Sequence, residues 1–184
     1  MRPGVTKAEI ERRIADGTVV EALVAVPAVV GECHNLPSGT CHALGAGVLV
    51  AEVQTPSDTT FRVYDWGRAG RALHIGPALA CMDLGPAPEA TRVAIGQRAA
   101  RLVKTEFFNV DGCELSVGES EPAGVGAGCS VLMVVGGEGQ LVGPGAAREV
   151  LPLGTTVLVP AAVAARWSFK ATARARLLRV TLGA

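Results

Sequence analysis

Two cysteine-histidine pairs stand close together in the chain, Cys33-His34 and Cys41-His42. Thiolates and imidazoles are the usual zinc donors, so the run invites a four-ligand site. Strand geometry argues against it, because adjacent residues on an extended strand point to opposite faces and each pair offers only one side chain to a common centre. If His42 points inward, Cys41 points outward, and further ligands must come from elsewhere. His42 is the candidate metal ligand, with a packed or surface histidine as the plain alternative. Downstream, residues 48–54 and 59–64 read as two strands around a turn at 55–58. With the mirror point near Ser57, Glu52 lies opposite Arg62 and Gln54 opposite Thr60. That polar face is either a solvated one carrying a cross-strand ion pair or the wall of a pocket.

The elements that must hold these residues are mainly β. One helix is legible over residues 7–16: Thr6 and Glu9 form a capping box, Val5 and Ile10 occupy the staple positions, and Gly17 supplies the stop. Short Val-, Leu- and Thr-rich runs between Gly, Pro, Ser and Asp turns then predict strands at 24–30, 41–44, 48–54, 59–64, 107–110, 131–135, 140–142, 155–159, 166–170 and 176–181. Residues 67–104 are less regular, with a weakly helical 92–102, and read as a connection between two β units. An internal repeat agrees with two units: Gly31 to His42 can be laid on Gly154 to Ala165, with Pro37 and Pro160 in register. A Gly, a short strand, a Pro-containing turn and a second strand suit a jelly-roll, where strands fold back together.

Composition bounds the partners. With 184 residues the chain fits one domain or two small ones. Lys plus Arg (17) equals Asp plus Glu (17), so no net field favours nucleic acid or an anionic membrane. The N-terminus lacks an apolar signal-like core, and the apolar runs near Val24 and Leu158 are too short to span a bilayer, which points to the cytoplasm. Five cysteines without a CxxC suit reduced, mostly buried thiols.

The stretch from Gly31-Glu-Cys-His-Asn-Leu-Pro through Cys41-His42 to Gly47, followed by Glu52-Val-Gln-Thr-Pro-Ser-Asp-Thr-Thr-Phe-Arg-Val-Tyr-Asp-Trp-Gly-Arg68, closely resembles the type I mannose-6-phosphate isomerases. Pro3–Glu9 resembles that family's helical insertion, Arg71-Ala-Leu-His-Ile the segment after its active-site strands, and residues 107–110 and 136–160 its C-terminal domain. The resemblance implies a cupin (RmlC-like) jelly-roll and a zinc enzyme acting on a hexose 6-phosphate through an enediol. By motif position His42 matches a zinc ligand, Arg62 the active-site arginine and Glu52 an acidic residue of the pocket. Gln54 and Asp58 belong to the same motif as substrate-binding candidates, Asp58 equally suiting an Asx turn beside Pro56.

The domain layout expected from this likeness is the end of a helical insertion (1–24), the second part of a catalytic cupin barrel (25–66), a connecting segment (67–103) and a C-terminal cupin domain without metal (104–184). Ala165 stands there in the register of His42, and Thr155 in that of the acid Glu32. Glu32 itself replaces the family's usual Asp and keeps the carboxylate. The remaining zinc ligands of the family, a Gln, a His and a Glu, precede the helical insertion, so the chain is expected to be a C-terminal portion whose partner is the missing N-terminal half. The alternative is a non-catalytic cupin module that binds a sugar phosphate or acts as a scaffold.

Overall fold

The computed structural model describes residues 1–57, 59–68 and 70–183. Helix α1 spans Lys7–Ala15, close to the expected limits. The Thr6 hydroxyl accepts from the Glu9 amide at 3.2 Å, the first half of the capping box. The second half is not made, since the Glu9 carboxylate accepts from Arg13 at 2.8 Å instead. Gly17, at φ +71°, ends the helix in a Schellman motif. Its amide reaches the Ile14 carbonyl, and the Thr18 amide reaches that of Arg13. The inner face of α1, Ile10 and Ile14, packs with Val19 and Ala22 of a 3-10 turn (Val19–Ala22) and with Met82, just after helix α2 (Ile75–Cys81). This small core anchors the first compact unit, Met1–Val30 with His34–Ala90.

Among the described residues of that unit no strand forms. The strands expected at 24–30, 41–44, 48–54 and 59–64 are absent, and the only bridge is the isolated pair Thr40 with Asp83. Their Val, Leu and Thr content suits a half-buried pleated surface, yet a strand exists only where a neighbour takes its backbone groups. No neighbour does so here. Val24, Val26, Leu44, Leu49 and Phe61 are accordingly exposed.

Among the described residues, the second unit, Gly31–Cys33 with Thr91–Ala184, holds all the regular β structure. Strands β1 (Ala99–Lys104), β2 (Phe108–Leu115), β9 (Ala175–Leu182), β4 (Ser130–Gly136) and β7 (Thr156–Val159) make one antiparallel sheet in the order β1-β2-β9-β4-β7. The other sheet runs β3 (Ser120–Pro122), β8 (Ser168–Ala171), β5 (Gly139–Val142) and β6 (Arg148–Leu151). From β2 to β9 the chain changes sheet at every step except the β5–β6 hairpin, which is an eight-stranded jelly-roll with β1 added at the edge. Six expected strands correspond to β2, β4, β5, β7, β8 and β9. Strand β1 replaces the expected helix at 92–102: the run Ala99-Ala-Arg-Leu-Val favours a helix locally, but pairing with β2 wins. The repeat is corrected as well. After Pro160 the second copy turns into a short helix, α3 (Ala161–Ala164), rather than a strand, as its run of alanines favours. Ala165 is the C-cap of that helix.

Between the sheets lies an apolar core of Leu115, Leu132, Val134 and Leu177 from one side and Leu141, Phe169 and Ala171 from the other. Phe169 is fully buried, and its ring occupies the space a Cβ on Gly139 would need, 2.3 Å from Cζ. Beyond that core the interior turns ionic. Arg179 on β9 contacts Asp111 of the adjacent β2 at 3.2 Å and Glu121 of β3, in the opposite sheet, at 3.0 Å. Arg101 holds the other oxygen of Asp111, and Arg98 reaches Glu121 at 2.9 Å. Burial works against the charge on Arg179, but hydrogen bonds to Glu121 and then Asp111 outweigh it and hold the guanidinium above its usual pKa. Cys113 lies on the same strand as Asp111; burial, then the charge of Glu121, pushes its thiol from the usual 9.0 to about 11.

Two outcomes follow from this interior. Glu121→Ala leaves Arg179 half-compensated in a buried place and should cost about 3–5 kcal/mol in urea unfolding, whereas Arg101→Ala, at the exposed rim, should cost under about 1 kcal/mol. Cys113 adds an alkaline dependence. Below pH 9 the thiol is protonated folded and unfolded; between 9 and about 11 only the unfolded chain releases the proton, so stability falls as pH rises. Unfolding free energies at pH 8 and 10.5 should show wild type losing on the order of 2 kcal/mol more than Cys113→Ala.

Candidate active site

His42 stands exposed on irregular chain. Its Nδ1 lies 2.9 Å from the carbonyl oxygen of Thr40, a contact in which Nδ1–H donates and the lone pair stays on the outward Nε2. That is the tautomer of a histidine ready to ligate a metal. Cys41 is half-buried and packs against the α1 core while His42 is exposed, the reverse of the expected His42 inward and Cys41 outward, and no strand forms here to impose an alternation. Burial raises the thiol pKa of both Cys33 and Cys41, which disfavours the thiolate a metal needs. Cys33 is tied through its backbone to Thr91 at 2.8 and 2.9 Å, within the second unit. Among the described residues no three His, Cys, Asp or Glu side chains converge on one point. The residues present therefore do not by themselves fit a zinc ion, which needs at least three protein ligands.

Glu52 and Gln54 are exposed, and Arg62 is half-buried. The hairpin that would set Glu52 opposite Arg62 is not formed, and no salt bridge joins them among the described residues. Asp58 lies outside the described residues. Ser57 makes two local contacts: its hydroxyl accepts from the Thr59 amide at 3.3 Å, and its own amide reaches the Thr55 carbonyl.

Arg62 is fixed by a residue that spacing alone does not reveal. His74 donates its amide to the Arg62 carbonyl at 2.7 Å, and the Arg62 amide donates to His74 Nδ1 at 3.3 Å. The two contacts pin the main chain of Arg62. Nearby in sequence Asp65 is buried, only 6% exposed, and one of its oxygens takes Arg68 at 2.9 Å and Arg71 at 3.8 Å. Its other oxygen, Oδ2, is buried without a hydrogen-bond partner among the described residues. Trp66 adopts φ +50°, a strained conformation for a bulky side chain, between the ring of Tyr64 and the guanidinium of Arg68. The signal for this cluster was in the sequence: Asp65 and Arg68 stand three apart around Gly67, a turn spacing.

The second unit has the eight-stranded jelly-roll architecture, and the first carries His42 and Arg62 on irregular chain. By sequence the chain is related to the mannose-6-phosphate isomerases, matching their C-terminal region. The mannose-6-phosphate isomerase of Streptococcus mutans is 36% identical over 113 residues, 57% of this chain and 36% of that protein. Mannose-6-phosphate isomerase ManA of Bacillus subtilis is 30% identical over 150 residues, 74% of this chain and 46% of that protein. The chain thus spans less than half the length of these curated relatives. No protein-family profile matches it. Among solved structures, an RmlC-like cupin protein from Desulfovibrio desulfuricans aligns with 55% of this chain and 96% of its own, at 21% identity and a TM-score of 0.42.

The contacts make two positions separable. His42→Ala removes one contact from an exposed ring and should shift stability by no more than about 0.5 kcal/mol. Asp65→Ala strips a buried acceptor from two arginines and should cost about 1–3 kcal/mol, both read from urea unfolding curves.

Proposed function

We propose that the chain carries part of the active site of a mannose-6-phosphate isomerase, a zinc-dependent enzyme of the cytoplasm that interconverts mannose 6-phosphate and fructose 6-phosphate. The observation that carries this reading is the identity with relatives of that name, reaching 36% over 113 residues. The ready tautomer of His42 and the pinned main chain of Arg62 support it. Five cysteines free of disulfides suit a reducing compartment. No helix among the described residues is long and apolar enough to cross a membrane.

The reaction moves a carbonyl from C1 to C2. A base takes the proton from C2 while O1 gains one, giving a cis-enediol; a proton then returns to C1 as O2 loses its own. Glu52 is the carboxylate assigned to proton transfer, and Arg62 the guanidinium that steadies negative charge on the enediolate oxygens. Gln54 and Asp58 are assigned to the sugar. His42 would be one zinc ligand, the others coming from a second polypeptide segment, the N-terminal half present in the relatives. The exposed Val48, Leu49 and Val50 give such a segment an apolar edge to cover. Lack of a converging ligand set in the described residues favours one other reading, a sugar-phosphate-binding or scaffold module without catalysis.

Elemental analysis beside a coupled isomerase assay separates the two. The chain alone should hold well under one zinc per molecule and show no isomerisation; adding the N-terminal half of a relative should restore both. In that complex His42→Ala should lower zinc content, whereas Arg62→Ala should keep the zinc and reduce kcat by about a hundredfold or more. Full zinc and no turnover in the complex would favour the binding module.

A further inference from the structure

We infer that His74 is a positioning residue for Arg62, its ring Nδ1 standing in for the strand neighbour that Arg62 lacks among the described residues. A hydrogen-bonded pair in an antiparallel ladder exchanges two bonds, amide to carbonyl in both directions. Arg62 and His74 make the same reciprocal pair with one replacement. The His74 amide donates to the Arg62 carbonyl at 2.7 Å, and the Arg62 amide donates at 3.3 Å to the imidazole Nδ1 rather than to a carbonyl. The His74 carbonyl is turned into helix α2, where it accepts the Ala78 amide at 3.0 Å. A side-chain acceptor is therefore what remains for the Arg62 amide. On half-buried chain an unmet amide is unfavourable, and the ring nitrogen meets a need that the backbone leaves open.

The place of this ring in the helix makes its use specific. His74 is the N-cap of α2, where a side chain ordinarily accepts from the amides of the first turn, yet it makes no such bond. Its acceptor is turned back to Arg62 instead. Because Nδ1 accepts, the proton of the neutral ring is on Nε2. The ring also lies 6.2 Å from that of Phe61, tilted by 51°, so it bears on two successive residues. Both ends of the contact rest on one core: Val63 and Tyr64, which follow Arg62, and Ile75 and Leu79 of α2 pack against Ile10, Ile14 and Met82. His74 thus ties the Cα of Arg62 to packed helices. An arginine side chain is long and rotamer-rich, so the reach of its guanidinium depends on how firmly its main chain is held. A misplacement of about 1 Å in a reacting site costs roughly a hundredfold in rate.

The catalytic consequence rests on the isomerase reading, but the hold itself does not. The hold is read in the full chain alone, by amide hydrogen exchange followed by NMR. The Arg62 amide should exchange at least tenfold faster in His74→Phe, which keeps an aromatic ring beside Phe61 and removes the acceptor. In His74→Asn, whose Oδ1 takes the place of Nδ1, it should stay within threefold of wild type, with the amides of α1 unchanged in both variants. The consequence is read in the complex with the N-terminal half of a relative. There His74→Phe should lower kcat at least tenfold, with zinc content and KM for mannose 6-phosphate within twofold of wild type, and His74→Asn should recover most of the rate. An Arg62 amide that exchanges no faster in His74→Phe, or a kcat untouched by it, overturns the assignment. Equal loss in His74→Phe and His74→Asn overturns it too, since the shape of the ring and not its acceptor would then be the cause. If the wild-type complex does not isomerise at all, the isomerase reading fails, and the Arg62 exchange rates decide the hold by themselves.

Discussion

Arg179 has to keep its charge inside a jelly-roll, and the only acceptors it finds come from both sheets. A buried guanidinium is tolerated only when its desolvation is offset by paired, hydrogen-bonded carboxylates. Asp111 comes from the neighbouring strand, Glu121 from across the interior, and Arg98 and Arg101 balance their outer oxygens. The chain of alternating charges thus ties β2, β3 and β9 into one register. A slip of one residue between β2 and β9 would turn Asp111 to the opposite face and leave Arg179 with Glu121 as its one carboxylate. The apolar residues of the same strands would turn outward with it, so the core and the ion network demand the same register. Cys113, on the same strand as Asp111, is buried beside it and feels the charge of Glu121.

The first unit is organised on a different principle. Its regular structure is confined to two helices and a turn around Ile10 and Ile14, and the residues with chemistry lie on irregular backbone between them. There the main chain is shaped by single side chains: Thr40 orients His42, Ser57 takes the Thr59 amide, and His74 grips Arg62. Loops commonly carry function because a few such contacts can aim a side chain without burying it.

What the sequence disclosed follows the range of the forces involved. Helix α1 was legible because Thr6, Glu9 and Gly17 act within four residues of the ends they define; the Thr6 cap and the Gly17 stop survive in the structure, while Arg13 diverts Glu9. Strands β4, β5 and β9 were legible because each apolar run has partners within the chain. The runs at 41–64 carry the same signal without such partners, and a composition cannot announce who will pair with it. Strand β1 failed for the converse reason, as Ala99-Ala-Arg reads helical until β2 is beside it. At the candidate site, His42 and Arg62 stood out as residue types at a motif's spacing, but the inward His42 and outward Cys41 expected of a strand were not found, because no strand forms there. His74 was not visible as a clamp, because it meets Arg62 through a pair of contacts that neither alternation nor helical period encodes.

The sheet order has a consequence for how the jelly-roll assembles. Strand β9 follows β1 to β8 in the chain yet is the middle of its sheet, hydrogen-bonded to β2 on one side and β4 on the other. Until β9 is in place, β2 and β4 have no common partner, and Asp111 and Glu121 have no Arg179. Stretches far apart in sequence must therefore meet before the sheet is whole, so assembly is slow and all-or-none, and disturbing β9 costs the unit rather than one strand.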